Sequence, residues 1–174
     1  MDVLEAIRTR RSIRQFHELP VPEDLIEKLL RAAMAAPSAR NGQPWQFVVI
    51  TDRQLLEQAA AVHPNAAMAA RAPLAILICA DLRLEKSPGY WPVDCAAAAQ
   101  NMLLAAHGLE LGAVWTGVWP RPDRMDGFHR LLNLPEPVIA HSFIVVGYPA
   151  EQPSAEDRFL PDRVHRNGWR VEKT

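Results

Sequence analysis

The residues best equipped for chemistry lie near the start of the chain, in RTRRSIRQF, where Arg8, Arg10, Arg11 and Arg14 fall within seven positions with no acid among them. Guanidinium groups donate paired, charge-assisted hydrogen bonds in the plane that phosphate oxygens present. Arg10, Arg11, Ser12 and Arg14 are therefore an inventory suited to a phosphate dianion on one short segment. The alternative for the segment alone is a solvated basic turn paired with Glu18, Glu23 or Asp24.

A second stretch, APSARNGQPWQFVVI, brings Ser38, Asn41 and Gln43 together between Pro37 and Pro44. Amide side chains on a loop stiffened by two prolines can match the donor and acceptor edge of a planar heterocycle. Backbone phosphate cradles are missing: there is no GxGxxG after a strand and no GxxxxGK[ST], so any phosphate must be held by side chains. His17, His63, His107, His129, His141 and His165 show no HExxH or other ligand spacing, and the sequence points to no metal. Cys79 and Cys95 form no CxxC and read as buried thiols.

The elements that must position these residues alternate along the chain. DVLEAIRTR reads as a short amphipathic helix with Val3, Leu4 and Ile7 to one side. VPEDLIEKLLRAAMAAP is a firmer one, with Pro22 in its first turn, Glu23 and Asp24 at its positive end, and Leu25, Leu29 and Ala32/Ala33 at helical spacing until Pro37. QFVVIT, LAILICAD, AVWTGVWP and SFIVVGYP read as strands, LAILICAD with enough consecutive apolar residues to be buried on both faces. Helices are expected in DRQLLEQAAAV, capped by Asp52, in DCAAAAQNMLLAAHGLELG and in DRMDGFHRLLNL. The pattern predicts an α+β fold with a mainly antiparallel central sheet flanked by helices. It forms one domain over residues 1–174, with 150–174 as a C-terminal arm. Segment 82–93, containing EKSPGYWP, reads as a lid in which Tyr90 and Trp91 could wall a substrate slot. From Cys95 to Ala106 the helix is nearly all small or apolar, and in so small a chain its cover is expected from a second subunit.

The bulk numbers bound the function. With 19 basic and 20 acidic residues, a net charge of -1 and a pI near 6.6, the chain lacks the excess of a general polyanion binder, and a nucleic-acid partner is not expected. An apolar content of 49% suits a soluble globular protein. The longest apolar runs, APLAILICA and HSFIVVGY, are too short to span a bilayer. Two acids among the first five residues give no signal-peptide pattern. A cytoplasmic protein without a membrane partner is the expectation.

Three segments in order, RRSIRQF, APSARNGQPWQFVVI and AAHGLELGAVWTGVWP, together with DRV in the tail, resemble the FMN-dependent nitroreductase family over essentially the whole chain. The resemblance implies a nitroreductase-like fold and an intertwined homodimer with FMN at the subunit interface. It also implies that Arg10, Arg11 and Ser12 contact the phosphate and ribityl chain, that Arg14 reaches the N1/C2 side of the isoalloxazine ring, and that Arg163 is a further phosphate ligand. Pro37, Ser38 and Asn41, with Gln43 on the same loop, would act on the partner subunit's flavin. Asn65 would meet the pyrimidine edge, and backbone groups of Thr116 and Gly117 would lie near N5. Met68 departs from the family pattern, since some relatives carry a second basic residue there, and this leaves the charge near N1 to Arg14.

The chemistry so implied is NAD(P)H-driven, ping-pong hydride transfer through flavin N5 to nitroaromatics, quinones or other electron-poor small molecules. No side-chain acid, base or nucleophile is required, because the protein positions the ring and stabilises its charge. A flavin-dependent dehydrogenase, a reductive dehalogenase, or an FMN-binding protein without turnover are the alternatives on the same scaffold.

Overall fold

A computed structural model describes residues 1–169. The apolar run LAILICAD becomes strand β2, Leu74–Asp81, and all eight of its residues are buried. Such a strand needs cover on both faces, and its neighbours supply it. Leu74, Ile76, Ile78 and Ala80 pack into one apolar cluster with helices α2, Glu23–Met34, and α4, Trp91–Gly108. Ala75, Leu77 and Cys79 pack into another with α3, Arg53–Val62, and α5, Pro122–Leu132. The two-residue period of a strand thus builds helices, sheet and helices as three layers.

The sheet has four strands, all antiparallel, in the order β1-β2-β4-β3, where β1 is Trp45–Ile50, β3 is Gly112–Gly117 and β4 is Val138–Gly147. Strand β4 begins before SFIVVGY, because Val138, Ile139 and Ala140 continue its pairing with Asp81, Ala80 and Cys79 beyond an irregularity between Ile78 and Cys79. The cysteines are free and buried, and burial pushes the Cys79 thiol up to about 12.

Trp91 and Pro92 form the first turn of α4, so the segment expected as a lid splits into a 3-10 turn at Leu82–Leu84, a short loop and a helix start. Pro22, expected in the first turn of α2, instead holds the N-cap position just before it, where it makes no side-chain cap. In the first helix, α1, Val3–Thr9, the apolar side points away from the core: Val3, Leu4 and Ile7 are 69%, 74% and 54% exposed, while Ala6 is buried.

After α1 the chain runs beside the sheet edge. Ile13 N donates to Ala113 O at 3.0 Å, pairing Ser12 and Ala113 in parallel with β3. The chain leaving β4 returns along the other side, where His17 N donates to Tyr148 O and Ala150 N to Gln15 O, each at 2.9 Å. The arginine segment is thereby held between β3 and the start of the tail. No helix among the described residues is long and apolar enough to cross a membrane.

Candidate functional site

Strand β3 is an edge strand, so alternate backbone groups face away from β4. Ala113 O accepts from Ile13 N, and Gly117 O accepts from side chains outside the sheet. Strand alternation puts the Trp115 amide on this same open edge. The N-terminal segment approaches the edge closely: a Cβ on Gly112 would stand 2.7 Å from Ile13 Cγ2. Beyond Ile13 the edge is open, and a cleft of about 520 Å³ lies along it, lined by Arg14, Asn65, Met68, Thr116 and Gly117 among others. Thr116 turns its hydroxyl inward, donating to Phe143 O at 2.7 Å, and by the same alternation its backbone groups face β4, which leaves those of Trp115 and Gly117 toward the cleft.

Arg14 also lines a second, more polar cleft of about 710 Å³ with Arg10, Arg11 and Ser12. Arg158, which the sequence reading passed over as one charge in a polar tail, joins them there. Arg11 is committed locally: its guanidinium donates to Arg8 O, Arg10 O, Ser154 O and Glu156 O at 2.7 to 3.2 Å, pinning the tail to the basic segment. Glu151 lines the same cleft but accepts from the backbone N–H groups of Arg14 and Gln15. Among the described residues no ion pair joins Arg10, Arg11, Arg14 or Arg158 to an acid. Burial holds the Arg10 pKa below its ordinary value, and the charges of Arg11 and Arg158 lower it further. Four arginines outnumber the two carboxylates, Glu151 and Glu156, that line the cleft; crowded, partly desolvated cations in excess are stabilised by an anion, and the residues present fit a phosphate.

The second predicted loop stands elsewhere. Ser38 Oγ accepts from Gln43 N at 3.0 Å, Gln43 Nε2 donates to Asn41 Oδ1 at 2.9 Å, and Arg40, Asn41 and Gln43 all have positive φ. Ala39 N donates to Asp94 Oδ1 at 2.9 Å, which fastens the loop and the neighbouring Pro37 to the N-terminal turn of α4. The arginine segment lies at the other end of that helix, where Thr9 Oγ1 is 2.8 Å from His107 Nε2. At 1.5 Å per residue, Asp94 and His107 are about 20 Å apart. One chain therefore does not bring Pro37, Ser38, Asn41 and Gln43 to the basic cleft. Arg163 sits in an exposed 3-10 turn, Pro161–Arg163, and does not line that cleft.

Other residues complete the surroundings. Arg71 shares a cleft with Arg14 and Met68. His63 and Arg124 meet behind Gly117. Neither had a sequence signal, since each joins the site through a segment distant along the chain. Trp115 separates the edge cleft from an apolar one of about 420 Å³, lined by Val93, Trp119 and His141 among others. There Trp119 stacks on His141 with ring centres 6.2 Å apart, and Trp91 meets both edge-on.

A family model described as the Nitroreductase family matches residues 7–63 and 57–148. A protein of Methanothermobacter thermautotrophicus, provisionally named an NADH dehydrogenase/NAD(P)H nitroreductase, is 56% identical over 97% of this chain and 88% of its own length. A crystal structure from Parabacteroides distasonis with the same provisional name superposes with a TM-score of 0.91 at 42% identity, covering 95% of this chain and 98% of that one. A provisionally named nitroreductase of Desulfovibrio desulfuricans, crystallised in complex with FMN, is 32% identical with a TM-score of 0.84, covering 98% of this chain and 99% of that one.

Proposed function

The chain belongs to the nitroreductase family, and on that premise we propose that it is an FMN-dependent oxidoreductase. It takes hydride from NADH or NADPH and delivers it to nitroaromatics, quinones or other electron-poor small molecules, working as a homodimer. The observation that carries this reading is the cleft in which four arginines outnumber two glutamates and which continues, through Arg14, into the open edge of β3.

Arg10, Ser12 and Arg158 hold the phosphate end by charge-assisted hydrogen bonds, and Arg11 keeps the tail against them. Arg14, placed between the two clefts, supplies positive charge on the N1 side of the ring. Asn65 meets the pyrimidine edge, and the end of β3 at Thr116 and Gly117, with the Gly117 backbone on its open side, orients the reactive edge. Pro37, Ser38, Asn41 and Gln43 serve the partner's site, because within one chain they lie about 20 Å along α4 from the basic cleft. Arg163 lies outside the basic cleft of its own chain, and a part for it in phosphate binding rests on the likeness of DRV to the family pattern alone. FMN, when bound, supplies a two-electron carrier that accepts and donates hydride at N5.

Titration of the purified protein with FMN, followed by anaerobic addition of NADH or NADPH, tests the proposal. FMN binding with bleaching of the flavin band is expected. Arg10→Ala should weaken FMN affinity about ten- to a hundredfold, the worth of a hydrogen bond to a charged group. Binding without bleaching would reject the enzyme reading, and unchanged affinity in the variant would reject the phosphate assignment.

A further inference from the structure

Gly117 ends β3 at the edge cleft, and its carbonyl oxygen is gripped by two side chains from separate parts of the chain. Arg124 of α5 donates from Nη1 at 2.6 Å, and His63 Nε2 lies at 2.9 Å. His63 closes α3 and opens the 3-10 turn Pro64–Ala70, which carries Asn65. Its bond to Gly117 therefore ties together the two walls between which the cleft lies, one bearing Asn65 and the other β3.

The grip is built with some insistence. His63 is fully buried. Burial lowers its pKa, the hydrogen bond to Gly117 opposes that, and the charge of Arg124 adds to it. With its hydrogen on Nε2, the imidazole donates to Gly117 O. His63 Nδ1 and Arg124 Nε are buried without a protein partner, an arrangement that costs stability and that apolar packing of the same space would avoid. Helix α5 is pressed against the end of α3 to bring the pair together: a Cβ on Gly127, one turn beyond Arg124, would stand 2.5 Å from Val62 Cγ1. Meanwhile Met68 leaves its own part of the cleft wall uncharged.

We infer that Arg124 and His63 are positioning residues for the bound flavin, holding Gly117 and the Asn65 wall at the spacing of the ring and placing a fixed cation behind its reactive edge. The inference rests on the FMN reading above. A cation held there favours the reduced, more negative form of the flavin over the oxidised one. His63 contributes geometry, and Arg124 contributes both geometry and charge.

The test compares Arg124→Met, Arg124→Gln and Arg124→Lys with wild type in the FMN-loaded protein, reading the midpoint potential of the bound flavin and the affinity for oxidised FMN. Arg124→Met and Arg124→Gln should each lose about tenfold in preference for the reduced form, a drop of about 30 mV for a two-electron couple. Arg124→Lys, which keeps the charge, should recover most of it. His63→Leu should slow flavin reduction at saturating NAD(P)H while leaving the potential in place, and His63→Gln, which retains a donor, should restore the rate. Gln at 124 keeps hydrogen-bond donors and serves where Met fails to fold. Potentials unmoved in the charge-removing variants would overturn the role of Arg124, and an unchanged reduction rate in His63→Leu would overturn that of His63. If wild type binds no FMN, the FMN reading fails and this inference fails with it; wild-type binding with unmoved potentials and rates sinks the clamp alone.

Discussion

His141 shows how a single residue's surroundings make a measurable quantity. It lies buried among Trp91, Trp115 and Trp119, and burial lowers its pKa to about 4, against a partly opposing hydrogen bond with the backbone of Pro92. In the unfolded chain the same imidazole titrates near about 6.5. Between those values the unfolded state holds a proton that the folded state refuses. The stabilisation is complete above the unfolded pKa and falls as the pH drops toward the folded one, by about 3 kcal/mol in full. Urea unfolding at pH 7 and about pH 4.5 should show His141→Phe losing about 2 kcal/mol less than wild type over that interval. Equal losses would mean that other groups dominate acid destabilisation.

At the scale of elements, the site depends on a short extended segment lying flat against β3. Gly112 permits this, because a Cβ there would meet Ile13 Cγ2 at 2.7 Å and Ile13 Cβ at 2.8 Å. Ile13 cannot yield easily: its side chain is branched at Cβ, and its backbone N–H is bonded to Ala113 O. Gly112→Ala should therefore destabilise the fold by about 1 to 3 kcal/mol, as overpacking does, and should lift Arg10 to Arg14 away from the edge. A loss of FMN affinity greater than tenfold is expected by titration. Gly108→Ala, whose added Cβ would meet nothing within 4 Å, is the control and should leave affinity unchanged. Undiminished affinity in Gly112→Ala would show that pairing with β3 is not what aims the arginines.

For the whole molecule, the apolar surface left open is unevenly placed. Val3, Leu4 and Ile7 on α1, Val93 on α4, and Phe159, Val164 and Trp169 in the tail are all exposed, and in the proposed homodimer these elements are the ones available to cover one another. The separation of loop 37–44 from the arginine cleft then becomes a prediction about assembly. Subunits carrying Arg10→Ala, mixed and reassembled with subunits carrying Asn41→Ala, should form heterodimers with one doubly damaged site and one intact site. Activity above that of either parent is expected in verified heterodimers. No recovery would count against a shared site while leaving FMN binding untouched.

Much of this was legible in the sequence, because the relevant signals are local. An unbroken apolar run specifies a strand covered on both faces, as in LAILICAD. Asp52 caps α3 by accepting from Leu55 N three residues away, and the arginines of RTRRSIRQF, clustered without acids, concentrate positive charge on one short segment. Tertiary structure alone decided the rest, since it turned on distance between segments. The tail brings Arg158 to the basic cleft, where sequence reading reached only Arg163. The close approach of α5 to α3 sets Arg124 beside His63 at Gly117, although 61 positions separate the two side chains along the chain. The length of α4 parts the two loops that would otherwise be read as one site. Periodicity and capping act within a few residues and are written in the chain, whereas which remote charges share a cleft depends on the packing of whole elements.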